Sequence, residues 1–275
     1  MMSEREEKKE DPAGLDDSTF LGEDGLLHCR ICGEPREAYL PIGPSLLMRK
    51  KKHFRPCSCL EKQYAEAEEL RLKQQHEEKV ARLRRECYQG QCIQKATFDT
   101  SESDSDAMTF CREYARTWDE QRKKNIGLLL WGDVGTGKTN AAICIANALM
   151  EKEVPVRMLN FGQIMNADFD EKSHILEIIP DPALLILDDF GMERSSDYGL
   201  EIVFQVIDSR YRSEKPLIVT TNLSMDTLKH AEDLSHRRIY DRILERCVPV
   251  QFKGLDYREK IHKEKREQFL EIIGM

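Results

Sequence analysis

Residues 132–139 have the residue types and the spacing that bind phosphate groups in proteins. They read GDVGTGKT, follow the apolar run 126–131 and precede the helix-forming segment 140–150. Glycines at this spacing let the backbone turn tightly, so that successive N–H groups point toward phosphate oxygens. The N-terminus of the following helix adds partial positive charge. The motif therefore predicts a site for a nucleoside triphosphate, with ATP and Mg²⁺ as its ligands.

Two side chains of this motif have distinct predicted roles. Lys138 reaches the β- and γ-phosphates, and the hydroxyl of Thr139 is a ligand of Mg²⁺. A glycine-rich turn without a ligand is the alternative, but the strand before the loop and the helix after it favour phosphate binding. The predicted nucleotide-binding residues of the loop are Gly132, Asp133, Val134, Gly135, Thr136, Gly137, Lys138, Thr139 and Asn140.

Two adjacent carboxylates follow a second apolar run, in the sequence LLILDDF. The run 184–187 is typical of a buried strand, and parallel sheets place their chemistry at the carboxyl ends of such strands. Asp188 is predicted to hold the Mg²⁺ shell, and Asp189 to orient or deprotonate the attacking water. A strand that ends in an Asx turn toward Gly191 is the alternative.

An amide side chain and a cluster of arginines complete the candidate catalytic groups. Asn222 follows the predicted strand Leu217–Thr221. It can bind the attacking water or the γ-phosphate, or it can cap a helix that begins near Met225. One arginine near the carboxyl end could reach the γ-phosphate of a neighbouring subunit, and spacing does not choose among them. The cluster comprises Arg237, Arg238, Arg242, Arg246 and Arg258.

Four cysteines in two close pairs predict a metal site. Cys29 and Cys32 form a CxxCG sequence, and Cys57 and Cys59 follow as a CSC sequence. Four thiolates in two pairs suit tetrahedral Zn²⁺, which would stabilise a segment that is too short to build its own core. Four unrelated thiols are the alternative. The competing ligands for the second pair are Cys87 and Cys92.

Composition places limits on the function. The 275 residues carry a formal net charge of −8, so binding to a polyanion would need a local patch. The clearest basic segment is 49–55, for which a solvated loop, a nucleic-acid contact and an acidic partner all stay open. We find neither an apolar run of transmembrane length nor the apolar centre of a signal peptide. A cytoplasmic protein without membrane contact is therefore expected.

The chain divides by composition into four predicted segments. Residues 1–26 read as a disordered acidic tail, 27–60 as a four-cysteine zinc module, and 61–94 as a charged helix with a linker. Residues 95–275 alternate apolar strands with helices, which predicts an α/β domain with a parallel sheet flanked by helices. The predicted strands are 126–131, 156–160, 184–187, 217–221 and 248–252, and the predicted helices include 140–150 and 198–212.

Taken together, these motifs resemble the AAA+ ATPases of the DnaC/DnaI type. This family contains the replicative helicase loaders of bacteria and phages, and also the IstB transposition ATPases. The resemblance covers residues 95–260 and is carried by GDVGTGKT, LLILDDFG, VIDSRYRSEKPLIVTTNLS and RIYDRI followed by YR. It implies an AAA+ P-loop NTPase fold for this part of the chain.

The resemblance also implies roles for individual residues. Asn222 matches the sensor 1 position, and Arg258 matches the sensor 2 arginine that contacts the nucleotide. Arg238 resembles the arginine finger offered to a neighbouring subunit, with Arg242 as the alternative. AAA+ ATPases usually have Glu where this chain has Asp189, whose shorter side chain lies further from the water, so slow hydrolysis is expected.

A function and partners follow from the same resemblance. It implies an ATP-dependent loader that places a DnaB-like replicative helicase onto single-stranded DNA, with self-association through the AAA+ domain. The zinc module would dock on the helicase. Relatives grip DNA between the second strand and LLILDDF, but residues 163–181 are acidic here, which does not suit phosphate contact. An IstB-like transposition helper and a nucleotide-switched adaptor with little turnover are the alternatives.

Overall fold

The computed structural model describes residues 18–39, 52–88, 95–101, 105–166, 168–191, 197–254 and 256–273. They form two compact units, one ending at His76 and the other beginning at Glu77. Several predictions fall on residues outside these ranges, which include 40–51 of the predicted zinc module and 89–94 of the predicted linker. Among them are residues 1–17 of the acidic tail, residues 49–51 of the basic segment, and Cys92.

The first unit contains two short antiparallel sheets. In one sheet β1 (Thr19–Leu21) pairs with β2 (Leu27–Cys29), and in the other β3 (Glu37–Tyr39) pairs with β4 (Lys52–Phe54). The long helix α1 (Ser58–Tyr88) follows and contains the boundary between the units. Strands this short bury little apolar surface, so these sheets need another source of stability.

The second unit is built from helices and one five-stranded sheet. Its helices after α1 are α2 (Asp106–Arg116), α3 (Trp118–Lys123), α4 (Lys138–Glu151), α5 (Phe161–Asn166), α6 (Phe169–Ile178), α7 (Asp197–Arg212), α8 (Met225–Lys229), α9 (Leu234–Arg246) and α10 (Tyr257–Ile273). Its strands are β5 (Gly127–Gly132), β6 (Val156–Asn160), β7 (Leu184–Phe190), β8 (Leu217–Thr221) and β9 (Cys247–Phe252).

The sheet is parallel throughout, with the strand order β6-β7-β8-β5-β9. This arrangement places every carboxyl end on one edge, where the loops after β5, β7 and β8 lie side by side. The predicted parallel sheet is confirmed, and β6 and β8 have the predicted bounds. β7 is longer than predicted, because it continues to Phe190. Asp188 and Asp189 therefore lie inside the strand rather than after it.

Side chains of the central strand β5 alternate between two cores. Leu128 and Leu130 pack with α2 and α4 on one face, whereas Leu129 packs with α5, α7 and α9 on the other. All three side chains are fully buried. Because successive residues of a strand point to opposite faces, a run of apolar residues indicates a sheet covered on both sides. The helices on both faces fix the carboxyl edge of the sheet, where the candidate site lies.

The helix α1 is long but strongly charged. Its 31 residues would exceed the thickness of a bilayer, yet charged side chains occur along its whole length. Among the described helices, none combines the length and the apolar character that a membrane span requires.

Candidate functional site

The phosphate loop joins β5 to α4 through two glycines in a left-handed conformation. Gly135 has a φ of +79° and Gly137 a φ of +95°, values that favour glycine over any residue with a side chain. Gly137 is the N-cap of α4, which begins at Lys138. The first N–H groups of α4 have no partner within the helix, so they can bind an anion at this end.

Side chains of the loop fix its conformation from within. The Lys138 ammonium is buried and donates to the carbonyl oxygens of Gly132 and Asp133, at 2.8 and 2.6 Å. Thr136 Oγ1 donates to the Asp133 carbonyl oxygen at 2.8 Å. These bonds hold the ammonium inside the curve of the loop. A cation in that position can neutralise bound phosphate groups.

Asp188 connects the phosphate loop to two strands of the sheet. Its Oδ1 accepts hydrogen bonds from Thr139 Oγ1 at 2.9 Å and from Thr220 Oγ1 at 2.6 Å. Burial raises the pKa of Asp188, although the hydroxyls of Thr220 and Thr139 act in the opposite direction. The hydroxyl of Thr139 and a carboxylate oxygen therefore lie side by side. Both are the hard oxygen donors that Mg²⁺ prefers, so these residues fit the predicted cation.

The backbone at Asp189 departs from regular strand geometry. Asp189 has a φ of +57°, and its N–H donates to Thr220 Oγ1 at 3.0 Å. The pairing of β7 with β8 shifts register between Leu187 and Phe190. Left-handed backbone is uncommon outside glycine and is frequent at functional sites. The Thr220 hydroxyl thus holds both aspartates in place. It donates to the side chain of Asp188 and accepts from the backbone N–H of Asp189.

Asn222 lies immediately after β8, and its side chain is exposed. The helix α8, which begins at Met225, has Ser224 as its N-cap. Ser224 Oγ accepts from the Thr227 N–H at 3.0 Å. The capping role that the sequence left open for Asn222 therefore belongs to Ser224. Asn222 is next to Thr221, which pairs with Phe190 of β7, so it stays close to the carboxylates.

The start of α10 lies against the phosphate loop. The Tyr257 N–H donates to the Gly135 carbonyl oxygen at 3.0 Å. A methyl group placed on Gly135 would lie 1.9 Å from Asp256 Oδ1, so the carboxylate is in direct contact with the loop. The predicted sensor 2 residue, Arg258, belongs to the first turn of α10, but its side chain is outside the described part of the structure.

The two candidates for the arginine finger, Arg238 and Arg242, both belong to α9 but have different surroundings. Arg242 Nη1 forms a 2.5 Å ion pair with Asp208 Oδ1, and its guanidinium lies 4.6 Å from the ring centre of Phe204. These contacts attach Arg242 to α7. Arg238 is exposed at the edge of a groove of about 330 Å³ between α7 and α9. Only Arg238 of this pair is therefore positioned to reach outward.

The four predicted zinc ligands lie together in the first unit. Sγ of Cys59 is 3.3 Å from that of Cys29, 3.3 Å from that of Cys57 and 3.4 Å from that of Cys32. All four sulfur atoms lie within 4.8 Å of one another. Tetrahedral zinc with Zn–S bonds of about 2.3 Å separates its sulfur ligands by roughly 3.8 Å, so the cluster fits that ion.

Electrostatic surroundings differ between the sulfurs of the cluster: the pKa values of Cys29 and Cys57 are lowered, whereas the hydrogen bonds of Cys59 to the other sulfurs raise its pKa to about 12. Backbone N–H groups of Cys32 and Ile31 donate to Cys29 and lower its pKa to about 6. Metal ligation needs the deprotonated sulfur, so the surroundings of Cys29 favour metal binding, whereas Cys59 would have to lose its proton when a metal binds. The competing ligand Cys87 is fully buried within a core cluster of the second unit, where burial raises its pKa to about 12. Its environment is that of a packing residue.

Comparison with known proteins assigns the family. A family model described as IstB-like ATP binding protein matches residues 60–265. The chain belongs to the IstB-like ATP binding protein family. The resemblance expected from the motifs is thus confirmed, and with it the AAA+ P-loop fold. A solved DNA replication initiation factor has a similar fold, with a TM-score of 0.50 at 20% identity, over 64% of this chain and 55% of that one.

Two curated relatives of this IstB-like chain have names that state a function. The replicative helicase loader DnaI of Bacillus subtilis is 29% identical over 208 residues, which span 67% of this chain and 65% of that protein. The replicative helicase loader DnaC of Escherichia coli K12 is 27% identical over 169 residues, which span 58% of this chain and 66% of that protein. The matched regions thus cover slightly less than two thirds of each relative.

Sequence reasoning missed three residues that the structure places beside the predicted site residues. Thr220 lies in an entirely buried strand, where threonine is an ordinary β-branched residue. Asp256 precedes a charged helix and gave no indication of a contact with the phosphate loop. Arg36, whose guanidinium donates to Cys29 Sγ, lies in one of many charged stretches of the sequence. The sequence TTN at the end of β8 is the one feature that could have pointed to Thr220.

Proposed function

We propose that this IstB-like chain is an ATP-dependent loader, which places a DnaB-like replicative helicase onto single-stranded DNA. The observation that carries the nucleotide site is the hydrogen bond from Thr139 to Asp188, because it joins the phosphate loop to the carboxylate strand. The loading role rests on the names of the two curated relatives. Self-association through the AAA+ domain forms part of the same proposal.

Each residue of the site has a role in this function. Lys138 neutralises the β- and γ-phosphates, while Thr139 and Asp188 hold Mg²⁺, which supplies charge stabilisation when bound. Asp189 orients or deprotonates the attacking water, and Asn222 binds that water or the γ-phosphate. Arg238 of a neighbouring subunit completes the site, and Arg258 contacts the nucleotide within its own chain. Asp189 has a short side chain, so turnover is slow.

The four cysteines hold Zn²⁺ in this proposal. Tetrahedral zinc would join Cys29 and Cys32, near β2, to Cys57 and Cys59, near the start of α1. The strands of the first unit have three residues each, so the metal contributes stability that their packing does not. The zinc module and the charged helix then form the surface that binds the helicase.

One experiment tests the loader function directly. The purified full-length chain is immobilised and exposed to a DnaB-like helicase with ATP or with ADP, and the bound helicase is measured. We expect capture by the wild-type chain and a clear loss of capture when Cys29 and Cys32 are both changed to serine. The matched control changes Cys111 and Cys144 to serine, because these buried cysteines lie outside the cluster. Failure of the wild-type chain to capture the helicase overturns the loader function.

A second measurement tests the nucleotide site separately. Lys138→Ala should weaken ATP binding at least about tenfold, because it removes the cation that faces the phosphates. Retention of wild-type affinity would show that the phosphate loop has been wrongly assigned. Helicase capture and nucleotide affinity are independent readouts, so one can fail without the other.

The family description supports a second candidate function, that of an IstB-like transposition helper. Such a protein would assemble on double-stranded DNA and would not capture a helicase. A nucleotide-switched adaptor is the third candidate, supported by Asp189 in place of glutamate. Measuring ATP turnover with single-stranded DNA, with double-stranded DNA and without DNA separates the three. The acidic side chains of segment 163–181 would repel DNA phosphates, so this segment does not favour direct contact with DNA.

A further inference from the structure

Arg36 lies among the sulfur atoms of the cysteine cluster. Its side chain is buried, and Nη2 donates to Cys29 Sγ at 3.5 Å. The guanidinium also lies close enough to the Cys57 sulfur for the two groups to interact electrostatically, and Nη1 donates to Ser18 Oγ at 2.7 Å. The backbone of Arg36 is fixed as well, because its N–H donates to the Leu27 carbonyl oxygen at 2.6 Å. This arginine therefore reaches one sulfur from each cysteine pair.

The four sulfurs differ in exposure, and Arg36 contacts the protected two. Cys29 and Cys57 are 0% and 2% exposed. Cys32 is exposed and Cys59 is half-buried. Solvent therefore reaches one sulfur of each sequence pair. The cluster therefore has a buried half, Cys29 and Cys57, next to the guanidinium, and a more accessible half, Cys32 and Cys59.

Charge explains why a guanidinium in this position would affect a metal. Four thiolates and one Zn²⁺ together carry a net charge of about −2, which is costly to bury without compensation. A buried guanidinium offsets part of that charge, and its N–H groups withdraw electron density from the sulfurs that accept them. Partners of this kind commonly change metal affinity by about 10- to 100-fold.

We propose that Arg36 is a positioning residue that holds Cys29 and Cys57 as the retained half of the zinc site. Cys32 and Cys59 form the labile half, at which metal release and attack by thiol reagents begin. This inference rests on the proposed zinc site. It goes beyond that site by assigning an order in which the four ligands are lost, and by naming the residue that sets the order.

The first test measures zinc release from the full-length chain. Zinc-loaded wild-type, Arg36→Met, Arg36→Lys and Ser18→Ala proteins are mixed with a chelator, and release is followed with a coloured zinc indicator. Arg36→Met should release zinc about tenfold faster, and Arg36→Lys should fall between it and the wild type. Ser18→Ala keeps the guanidinium and removes its oxygen partner, so it should behave as the wild type does.

A spectroscopic measurement separates a charge effect from a loss of packing. The same proteins are loaded with Co²⁺, and the sulfur-to-cobalt charge-transfer band is recorded. Loss of N–H···S bonds leaves the thiolates richer in electrons, so the band of Arg36→Met should move to lower energy. A structural role alone would leave the band in place. Unchanged release and an unchanged band in Arg36→Met would overturn the proposal.

The order of ligand loss is tested with iodoacetamide on the metal-loaded wild-type chain, so it does not depend on whether a variant folds. Mass spectrometry should find alkylation of Cys32 and Cys59 before Cys29 and Cys57. Equal rates at the four sulfurs contradict the two-half arrangement. If the wild-type chain bound neither zinc nor cobalt, the proposed zinc site would be wrong. Bound metal with no ordered loss would overturn the retained and labile halves and leave the zinc site intact.

Discussion

Asp188 is buried beside two hydroxyls and beside the carboxylate of Asp189. Burial raises the pKa of Asp188 above its ordinary value of 3.8, so the folded protein holds this proton more tightly than the unfolded chain does. The free energy of unfolding therefore falls as the pH rises through the folded pKa, and ionised Asp188 is a cost at neutral pH. A binding site for Mg²⁺ needs that ionised form.

Asp188→Asn should separate stability from binding. The amide oxygen can still accept from Thr139 and Thr220, while the buried charge is gone. We expect the melting temperature of the nucleotide-free protein to rise at neutral pH, by about 2–4 °C for each ~1 kcal/mol gained. The gain should shrink as the pH is lowered toward 3.8. Affinity for ATP with Mg²⁺ should fall about tenfold. A lower melting temperature at neutral pH would contradict the expected penalty.

Asp256 places a second carboxylate close to the phosphate loop, in contact with Gly135. A bound phosphate group and this carboxylate carry like charges, which repel by about 1 kcal/mol or more near a protein surface. Asp256→Asn should therefore tighten the binding of ADP and ATP about fivefold, as measured with a fluorescent nucleotide. The difference in nucleotide affinity between the wild type and Asp256→Asn should become smaller at high salt, which screens exposed charges.

The control for this substitution is Asp119→Asn, which removes an exposed carboxylate from α3. It changes the net charge by the same amount at a position outside the site. Equal affinities for wild type and Asp256→Asn would mean that the carboxylate turns away from bound nucleotide. Equal tightening in both variants would show an effect of net charge alone.

The sequence predicts those site residues that belong to a short local motif, whose members are neighbours along the chain. Lys138, Thr139 and Asp188 follow from local motifs, because the turn and the strand end fix their positions. Thr220 and Asp256 could not be predicted in this way. Their partners lie on β7 and on the phosphate loop, and only the folded sheet brings these segments together.

At the scale of elements, α7 and α9 are joined by Arg242. This arginine pairs with Asp208 and lies over the rings of Phe204 and Tyr211, at 4.6 and 5.5 Å from their centres. Arg242→Ala should lower the free energy of unfolding by about 2 kcal/mol, since it removes a half-buried ion pair and an aromatic contact. Urea denaturation measures this change. A loss below about 0.5 kcal/mol would show that α7 and α9 do not depend on this contact.

Arg238 lies one turn before Arg242 on α9. We expect it to matter for ATP hydrolysis and not for stability. It is exposed, so Arg238→Ala should leave stability within about 0.5 kcal/mol. If it completes a neighbour's site, ATP hydrolysis should fall at least about 100-fold. Mixing Arg238→Ala with Lys138→Ala protein should restore part of the activity, because an intact loop then meets an intact arginine. Arg237→Ala is the matched exposed control. Absence of restoration would argue against a role between subunits.

Element bounds followed from the sequence where apolar runs end at polar residues. Strands β6 and β8 begin and end at the predicted residues. For β7 the pattern predicts an end at Leu187, where two carboxylates follow, whereas the strand continues to Phe190. Pairing with β8 resumes at Phe190 after a shift in register, and a hydrophobic pattern does not record such a shift. The three-residue strands of the first unit were too short to show a period.

At the scale of the whole molecule, the chain has two compact units with different sources of stability. The second unit buries two extensive apolar clusters, one on each face of its sheet. The described strands of the first unit are three residues long, and four cysteine sulfurs lie close enough together to bind one metal ion. A small unit without a large core depends on such a ligand, whereas a domain with a large core does not.

Calorimetry of the full-length chain should therefore show two transitions that respond to different ligands. A zinc chelator should lower or abolish one transition and leave the other within about 1 °C, since a metal stabilises only the state that binds it. ATP with Mg²⁺ should raise the second transition and leave the first unchanged. Lys138→Ala should remove the nucleotide effect while the chelator effect persists. A single transition that responds to both ligands would mean that the two units fold as one, and that metal bound by the cysteines also stabilises the nucleotide site.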